Sequence, residues 1–272
     1  MQPHTDMKIG FFDSGLGGLV VLKAVAKRLP DYDYEFYGDT AHLPYGDKTE
    51  TEIYELTKQG AIHLFERNCV LVILACNTAS AETLRRLQDE WLPVVYPDRK
   101  ILGVIIPMVE EVVASDSLRV MLIATKRTIE SQKYNRELAK FTEAPYLHTL
   151  ATPELVPLIE SGNLTGAIQT LIPQVDAFLA DGGTALILGC THYTLLKPAL
   201  REIYGERLEI FSPTEIIPKK LATYLEHHTE ITDQLSQGSS RSIFLTEPSC
   251  HYDRIIGDLL GGHFLVDEDI TD

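Results

Sequence analysis

Short apolar runs recur along this chain, each followed by a stretch of helical periodicity, and this alternation restricts the fold more than any other feature. A strand that is apolar on both faces needs cover on both, and an amphipathic crossover helix supplies it when the next strand returns parallel. The runs 8–12, 34–37, 70–75 and 101–104 read as strands, with helices over 18–29, 50–66 and 79–91. A second series places strands at 118–124, 146–150, 185–188 and 208–211, with helices at 129–141, 164–180 and 194–203. From Thr214 the tail adds a helix to about His228, a polar break at 237–241, a strand at 243–246 and a further short helix and strand. The tail is expected to pack back on the first half.

The 272 residues exceed the usual size of a single core. The expected fold class is therefore α/β, as two similar parallel-sheet domains. The first takes residues 1–103 plus 214–272 and the second takes 104–213.

The two strands richest in Val, Ile and Leu end alike. Residues 70–75 run into Cys76-Asn77-Thr78, and residues 185–189 run into Cys190-Thr191-His192. The carboxyl ends of parallel strands face the ligand crevice, so both cysteines are expected at binding edges. They stand about one domain length apart, an internal echo in which each domain contributes one thiol to facing crevices.

Charge narrows the function. With 24 basic against 39 acidic residues, net −15, and no Lys/Arg-dense stretch, direct nucleic-acid binding is not expected. The first residues lack the apolar core of a signal peptide, and no apolar run reaches the ~18 residues of a membrane span. A cytoplasmic protein with no membrane association is expected. The four cysteines, Cys69, Cys76, Cys190 and Cys250, contain no Cys-x-x-Cys pair, which argues against a zinc ribbon, a thioredoxin-like motif or a disulfide scaffold.

Asp13-Ser14-Gly15-Leu16-Gly17-Gly18 follows the first strand and opens the first helix. It fails the dinucleotide pattern because Val20 stands where the third glycine belongs. A tight strand-to-helix turn and a small carboxylate ligand both fit it. The loop 38–46, with Pro44-Tyr45-Gly46, lies at a further strand end, where ligand contacts and an ordinary turn are about equally expected. A cysteine taken alone is more often a core residue than a nucleophile. Cys76 and Cys190 depart from that default because each precedes hydrogen-bonding groups and a helix N-terminus, which can lower a thiol pKa from about 8.5. Cys69 and Cys250 keep the core or surface reading. His227 and His228 read as solvated cations at a helix end rather than metal ligands.

A cysteine with one histidine supports thiol hydrolysis. Two thiols on opposing crevice walls support stereoinversion, in which one takes a proton from one face of a carbon and the other delivers a proton to the opposite face.

Phe12-Asp13-Ser14-Gly15-Leu16-Gly17-Gly18, Gly38-Asp39-Thr40 with Pro44-Tyr45-Gly46, Ala75-Cys76-Asn77-Thr78-Ala79 and Gly189-Cys190-Thr191-His192-Tyr193 occur in an order and approximate spacing that resemble the glutamate racemases. These belong to the cofactor-independent aspartate/glutamate racemase superfamily, and the resemblance covers nearly the whole chain. It implies two α/β domains in pseudo-twofold relation with L- or D-glutamate between them, no cofactor and no metal. It also implies a homodimer and a role in supplying D-glutamate for peptidoglycan. Carried over by position, Cys76 takes the α-proton of D-glutamate and Cys190 that of L-glutamate. Asp13 and His192 assist the neighbouring thiols, and Glu160 matches a carboxylate near the catalytic histidine. Ser14, Tyr45, Gly46, Asn77, Thr78 and Thr191, with Asp13 and His192, match substrate contacts.

Thr194 and Ser212 depart from the pattern, standing where proline and aspartate are usual. Thr194 is expected to loosen the start of the following helix slightly. Only about seven residues precede the first strand, so activation by a cell-wall precursor through an extended N-terminal segment is not expected. Two alternatives stand beside this reading. One is a racemase of another acidic amino acid such as aspartate, although that branch usually carries Glu at the position of His192. The other is a binding protein that restrains DNA gyrase, as some glutamate racemases do.

Overall fold

The computed structural model describes residues 6–249, 252, 256–257 and 265–266. The first half alternates β1 (Lys8–Asp13), α1 (Gly18–Arg28), β2 (Tyr34–Gly38), α2 (Glu50–Glu66), β3 (Cys69–Leu74), α3 (Asn77–Arg86), α4 (Leu92–Val95) and β4 (Lys100–Gly103). The second half begins with α5 (Ile105–Val113), β5 (Arg119–Ala124), α6 (Lys126–Glu130), α7 (Lys133–Leu138) and β6 (Tyr146–Ala151). It continues with α8 (Leu155–Glu160), α9 (Leu164–Ala180), β7 (Ala185–Gly189), α10 (Lys197–Tyr204) and β8 (Glu209–Phe211). Then α11 (Pro213–His227) and α12 (Thr229–Thr232) lead back to β9 (Arg241–Leu245) and β10 (Leu265–Val266).

Two sheets result, ordered β10-β9-β2-β1-β3-β4 and β6-β5-β7-β8, and every pairing between these strands is parallel. Without β9 and β10, the two orders are the same: the first strand of each half lies between its second and third, and the fourth takes the edge. The expected pair of parallel-sheet α/β domains is the observed architecture, and the tail does pack on the first sheet. Most of the short helix expected after β9, and Cys250, lie outside the described residues.

The apolar runs are continuous because both faces of each sheet are covered. Ile9 and Phe11 face a core built with Leu19 and Leu22 of α1 and Leu221 of α11, whereas Phe12 faces Ile53 and Leu64 of α2 on the other side. In β7, Leu186 and Leu188 meet Leu171 and Val175 of α9, while Ile187 meets Met108 and Val112 of α5. Each such fully buried side chain contributes ~1.5–3 kcal/mol. The last of these cores also takes in Ala81 of α3 and Ile216 of α11, so apolar packing continues from one half into the other.

Helix ends follow local chemistry. Thr49 and Glu52 form a reciprocal capping box at the start of α2, and Asn163 caps α9 by accepting the Gly166 N–H at 3.0 Å. Both helices have the bounds expected from sequence. The helix expected at 79–91 instead begins at Asn77, because Cys76 takes the cap position, and it passes into a π-helical turn at Leu87–Trp91. The helix expected at 129–141 is broken into α6 and α7 by Gln132, whose φ of 53° lies in the left-handed region. The helix expected from Thr194 is a 3₁₀ turn, His192–Leu196, followed by α10, and the Thr194 hydroxyl donates back to the Thr191 carbonyl at 2.8 Å.

Candidate active site

In each sheet the chain leaves its first strand to one side and its third strand lies on the other, so a crevice opens at the carboxyl ends of these two neighbours. The ends of β1 and β3 carry Asp13-Ser14 and Cys76-Asn77-Thr78, and the ends of β5 and β7 carry Thr125 and Cys190-Thr191-His192. Both sets meet around one cavity of about 300 Å³. Ser14, Tyr45, Gly46, Cys76, Asn77, Thr78, Glu160, Cys190, Thr191 and His192 all line it, so these residues singled out from sequence come together. Asp13 does not line it; it lies fully buried near His192 and Cys76. Cys69 is buried beside Gly10, away from the cavity. Among the described residues, no group of three His, Cys, Asp or Glu side chains is placed to hold a metal, and no helix is long and apolar enough to cross a membrane.

The two thiols have different surroundings. Cys76 Sγ lies 3.3 Å from Ser14 Oγ and accepts the Ala79 N–H at 3.5 Å. The helix terminus was expected to lower this thiol, but the result is the reverse. Burial, reinforced by the Asp13 carboxyl, pushes the Cys76 thiol up to about 12, against the smaller effects of the Ala79 N–H and Ser14. Asp13 is itself raised by burial, opposed by the charge of His192 and by the N–H groups of Gly18 and Gly15. Its Oδ2 accepts the Gly15 N–H at 3.2 Å, and Oδ1 has no hydrogen-bond partner among the described residues.

Cys190 is served by an imidazole. His192 Nδ1 stands 3.8 Å from Cys190 Sγ, and Nε2 stands 3.1 Å from Glu160 Oε1. Burial works against the imidazolium, but the hydrogen bonds and charges of Cys190 and Glu160 outweigh it and hold the His192 pKa well above its ordinary value.

Contacts between the halves fix the cavity. A Cβ on Gly17 would sit 2.3 Å from Thr191 Oγ1 and 2.8 Å from His192 Nδ1, so this position needs glycine for close approach. The hydroxyls of Thr78, Thr125 and Thr128 form a triangle with sides of 3.0–3.2 Å. Tyr134 donates its hydroxyl to Asn77 Oδ1 at 2.8 Å. On the first half, Tyr45 donates to Asp39 Oδ2 at 2.6 Å, and Asp39 Oδ1 accepts the Thr246 hydroxyl at 2.9 Å, tying the loop 38–46 to the end of β9.

Thr125, Lys126, Pro153, Val156 and Pro157 also line the cavity and were not singled out from sequence. Thr125 had a readable signal. It follows β5, the same place in its sheet that Ser14 occupies after β1.

Fold and crevice together define an α/β racemase built from two parallel-sheet halves around a cavity holding one thiol from each. Residues 20–220 match the profile of the Asp/Glu/Hydantoin racemase family, and the chain belongs to that family. It is similar to the glutamate racemase of Roseobacter denitrificans, with 39% identity over 253 residues that cover 88% of this chain and 91% of the relative. Among solved structures, glutamate racemase isoform RacE1 from Bacillus anthracis superposes with a TM-score of 0.85 at 28% identity, covering 99% of this chain and 98% of that one. The Francisella tularensis enzyme in complex with D-glutamate gives 0.83 at 26%, covering 98% of both chains.

Proposed function

We propose that this chain is a glutamate racemase that interconverts L- and D-glutamate by a two-thiol proton transfer and so supplies D-glutamate for peptidoglycan. The observation that carries the reading is the single cavity holding Cys76 from one sheet and Cys190 from the other, each beside its own proton-handling groups. The 35–39% identity to glutamate racemases over most of the chain supports glutamate as the substrate. Cys190, within reach of the His192 imidazole, is assigned as the base for L-glutamate, and the Cys76 thiol, which burial keeps protonated, as the acid. In the L-to-D direction Cys190 acts on L-glutamate. The Cys190 thiolate takes the α-proton, the electron pair is left on the α-carbon and its carboxylate, and the Cys76 thiol protonates the opposite face.

The Cys76 thiolate so formed is met by the Ser14 hydroxyl and the Ala79 N–H. Ser14, Asn77, Thr78, Thr125 and Thr191 bring uncharged polar side chains to the cavity for the carboxylates, and Tyr45 and Gly46 line it as well. The reading extends to a cytoplasmic homodimer that needs no cofactor, with residues 1–103 plus 214–272 as one domain and 104–213 as the other.

Racemisation in D₂O tests it. D-glutamate formed from L-glutamate is expected to carry deuterium at the α-carbon while L-glutamate recovered early stays mostly protiated, and Cys76→Ser and Cys190→Ser each abolish inversion. Early product that keeps its original α-hydrogen, or full inversion by either variant, overturns the two-thiol scheme.

A further inference from the structure

Asn77 is almost fully buried, at 3% exposure, where it follows Cys76 on the cavity wall. Its amide is half used: Oδ1 accepts the Tyr134 hydroxyl at 2.8 Å, while Nδ2 is buried with no hydrogen-bond partner among the described residues. A buried amide N–H₂ without an acceptor costs free energy until something accepts from it. Asn77 as a residue lines the cavity. Tyr134 comes from α7 of the second half, is 1% exposed, and packs with Ile105, Val109 and Leu138 in the core under the cavity. Burial also holds its phenol above the ordinary range, so the hydroxyl stays a donor wherever the enzyme works.

We propose that Tyr134 is a positioning residue that fixes the Asn77 amide so that Nδ2 faces the cavity and donates to a carboxylate of the substrate. The proposal rests on glutamate as the substrate. A side-chain amide can turn half a revolution at little cost, and that turn would set Oδ1 against a carboxylate oxygen. The phenolic donor removes the ambiguity, because only Oδ1 can accept from it. Since Tyr134 and Asn77 belong to different halves, the donor is presented correctly only when the two halves are in register. Binding of the carboxylate and assembly of the two-thiol site are thereby linked.

Tyr134→Phe removes the hydroxyl and keeps the ring. The dissociation constant for D-glutamate by calorimetry, and KM, are expected to rise about five- to tenfold, with kcat within about threefold of wild type. In an Asn77→Ala background, Tyr134→Phe is expected to have no further effect on either constant, because the group it acts through is gone. A residue that merely supports the fold would lower thermal stability and active fraction at unchanged affinity, or its effect would multiply with that of Asn77→Ala; either result overturns the proposal. Should Tyr134→Phe fail to fold, Asn77→Asp carries the test. It keeps the acceptor for Tyr134 but replaces the donor with an anionic oxygen, and it must weaken D-glutamate more than Asn77→Ala does; equal or tighter binding overturns the proposal. A wild-type protein that neither binds nor racemises glutamate removes the substrate reading and this proposal with it, whereas an active wild type with an indifferent Tyr134→Phe removes this proposal alone.

Discussion

Gly17→Ala adds one methyl group where the two halves meet. Gly17, at the cap position of α1, has φ −58° and ψ −33°, an ordinary helical conformation, so alanine brings no backbone strain. The cost is steric. The new Cβ would stand 2.3 Å from Thr191 Oγ1 and 2.8–2.9 Å from the His192 ring, against a comfortable separation of about 3.5 Å. Relief requires the imidazole to withdraw by about 0.6–0.7 Å and Thr191 Oγ1 by about 1 Å, or the glycine loop to move as far. The His192 to Cys190 contact is already 3.8 Å, long for a hydrogen bond to sulfur, so a shift of this size weakens or breaks it. Displacements near 1 Å in reacting groups cost up to about a hundredfold in rate. We expect Gly17→Ala to lower kcat/KM about 10- to 100-fold, measured by polarimetry or chiral chromatography, while the melting temperature moves by only a few degrees. Wild-type kcat/KM with the methyl group present would refute the claim that this loop and His192 are held in contact.

Glu160→Gln is expected to lower kcat/KM by about tenfold or less, since Glu160 is 42% exposed and solvent screens its pairing with His192. The sign is fixed: losing the carboxylate lowers the His192 pKa, so the alkaline fall of the pH–rate profile moves to lower pH, and an unmoved limb would separate His192 from that fall. Asp13→Asn is expected to abolish or sharply reduce activity yet raise the melting temperature at neutral pH. The folded-state pKa of Asp13 lies above its ordinary value, so the folded protein binds the proton more tightly and its stability declines as pH rises through that interval. The thermal gain should shrink as pH falls toward 3.8, and an asparagine variant less stable than wild type at neutral pH would contradict the burial argument.

Elements that carry their own start signals were legible in the sequence to the residue. The bounds of α2 and α9 match because Thr49 with Glu52, and Asn163, specify the first turn locally. Elements whose ends are set by tertiary contacts were not. The start of α3 was read two residues late because Cys76, a poor cap by propensity, takes the cap position at the strand end. The break between α6 and α7 depends on a left-handed Gln132 that periodicity does not reveal. For the site, strand-end logic located both cysteines and their neighbours, and applied to β5 it would have added Thr125. The direction of the Cys76 shift was misread, because a helix terminus is visible in sequence but complete burial beside Asp13 is not. Tyr134 was invisible for a similar reason: its partner lies 57 residues away on the other half.

The unequal surroundings of the two thiols carry a thermodynamic consequence. Mirror-image substrates in an achiral solvent have identical free energies, so their equilibrium constant is one whatever the catalyst, and detailed balance holds kcat/KM equal for the two enantiomers. A hydroxyl and a buried acid beside Cys76, against an imidazole and a half-exposed carboxylate beside Cys190, therefore cannot favour either product. The imbalance acts on the free enzyme instead, by dividing it between a form ready for one hand and a form ready for the other. It becomes visible only near saturation, as kcat and KM values that differ between enantiomers in the same proportion.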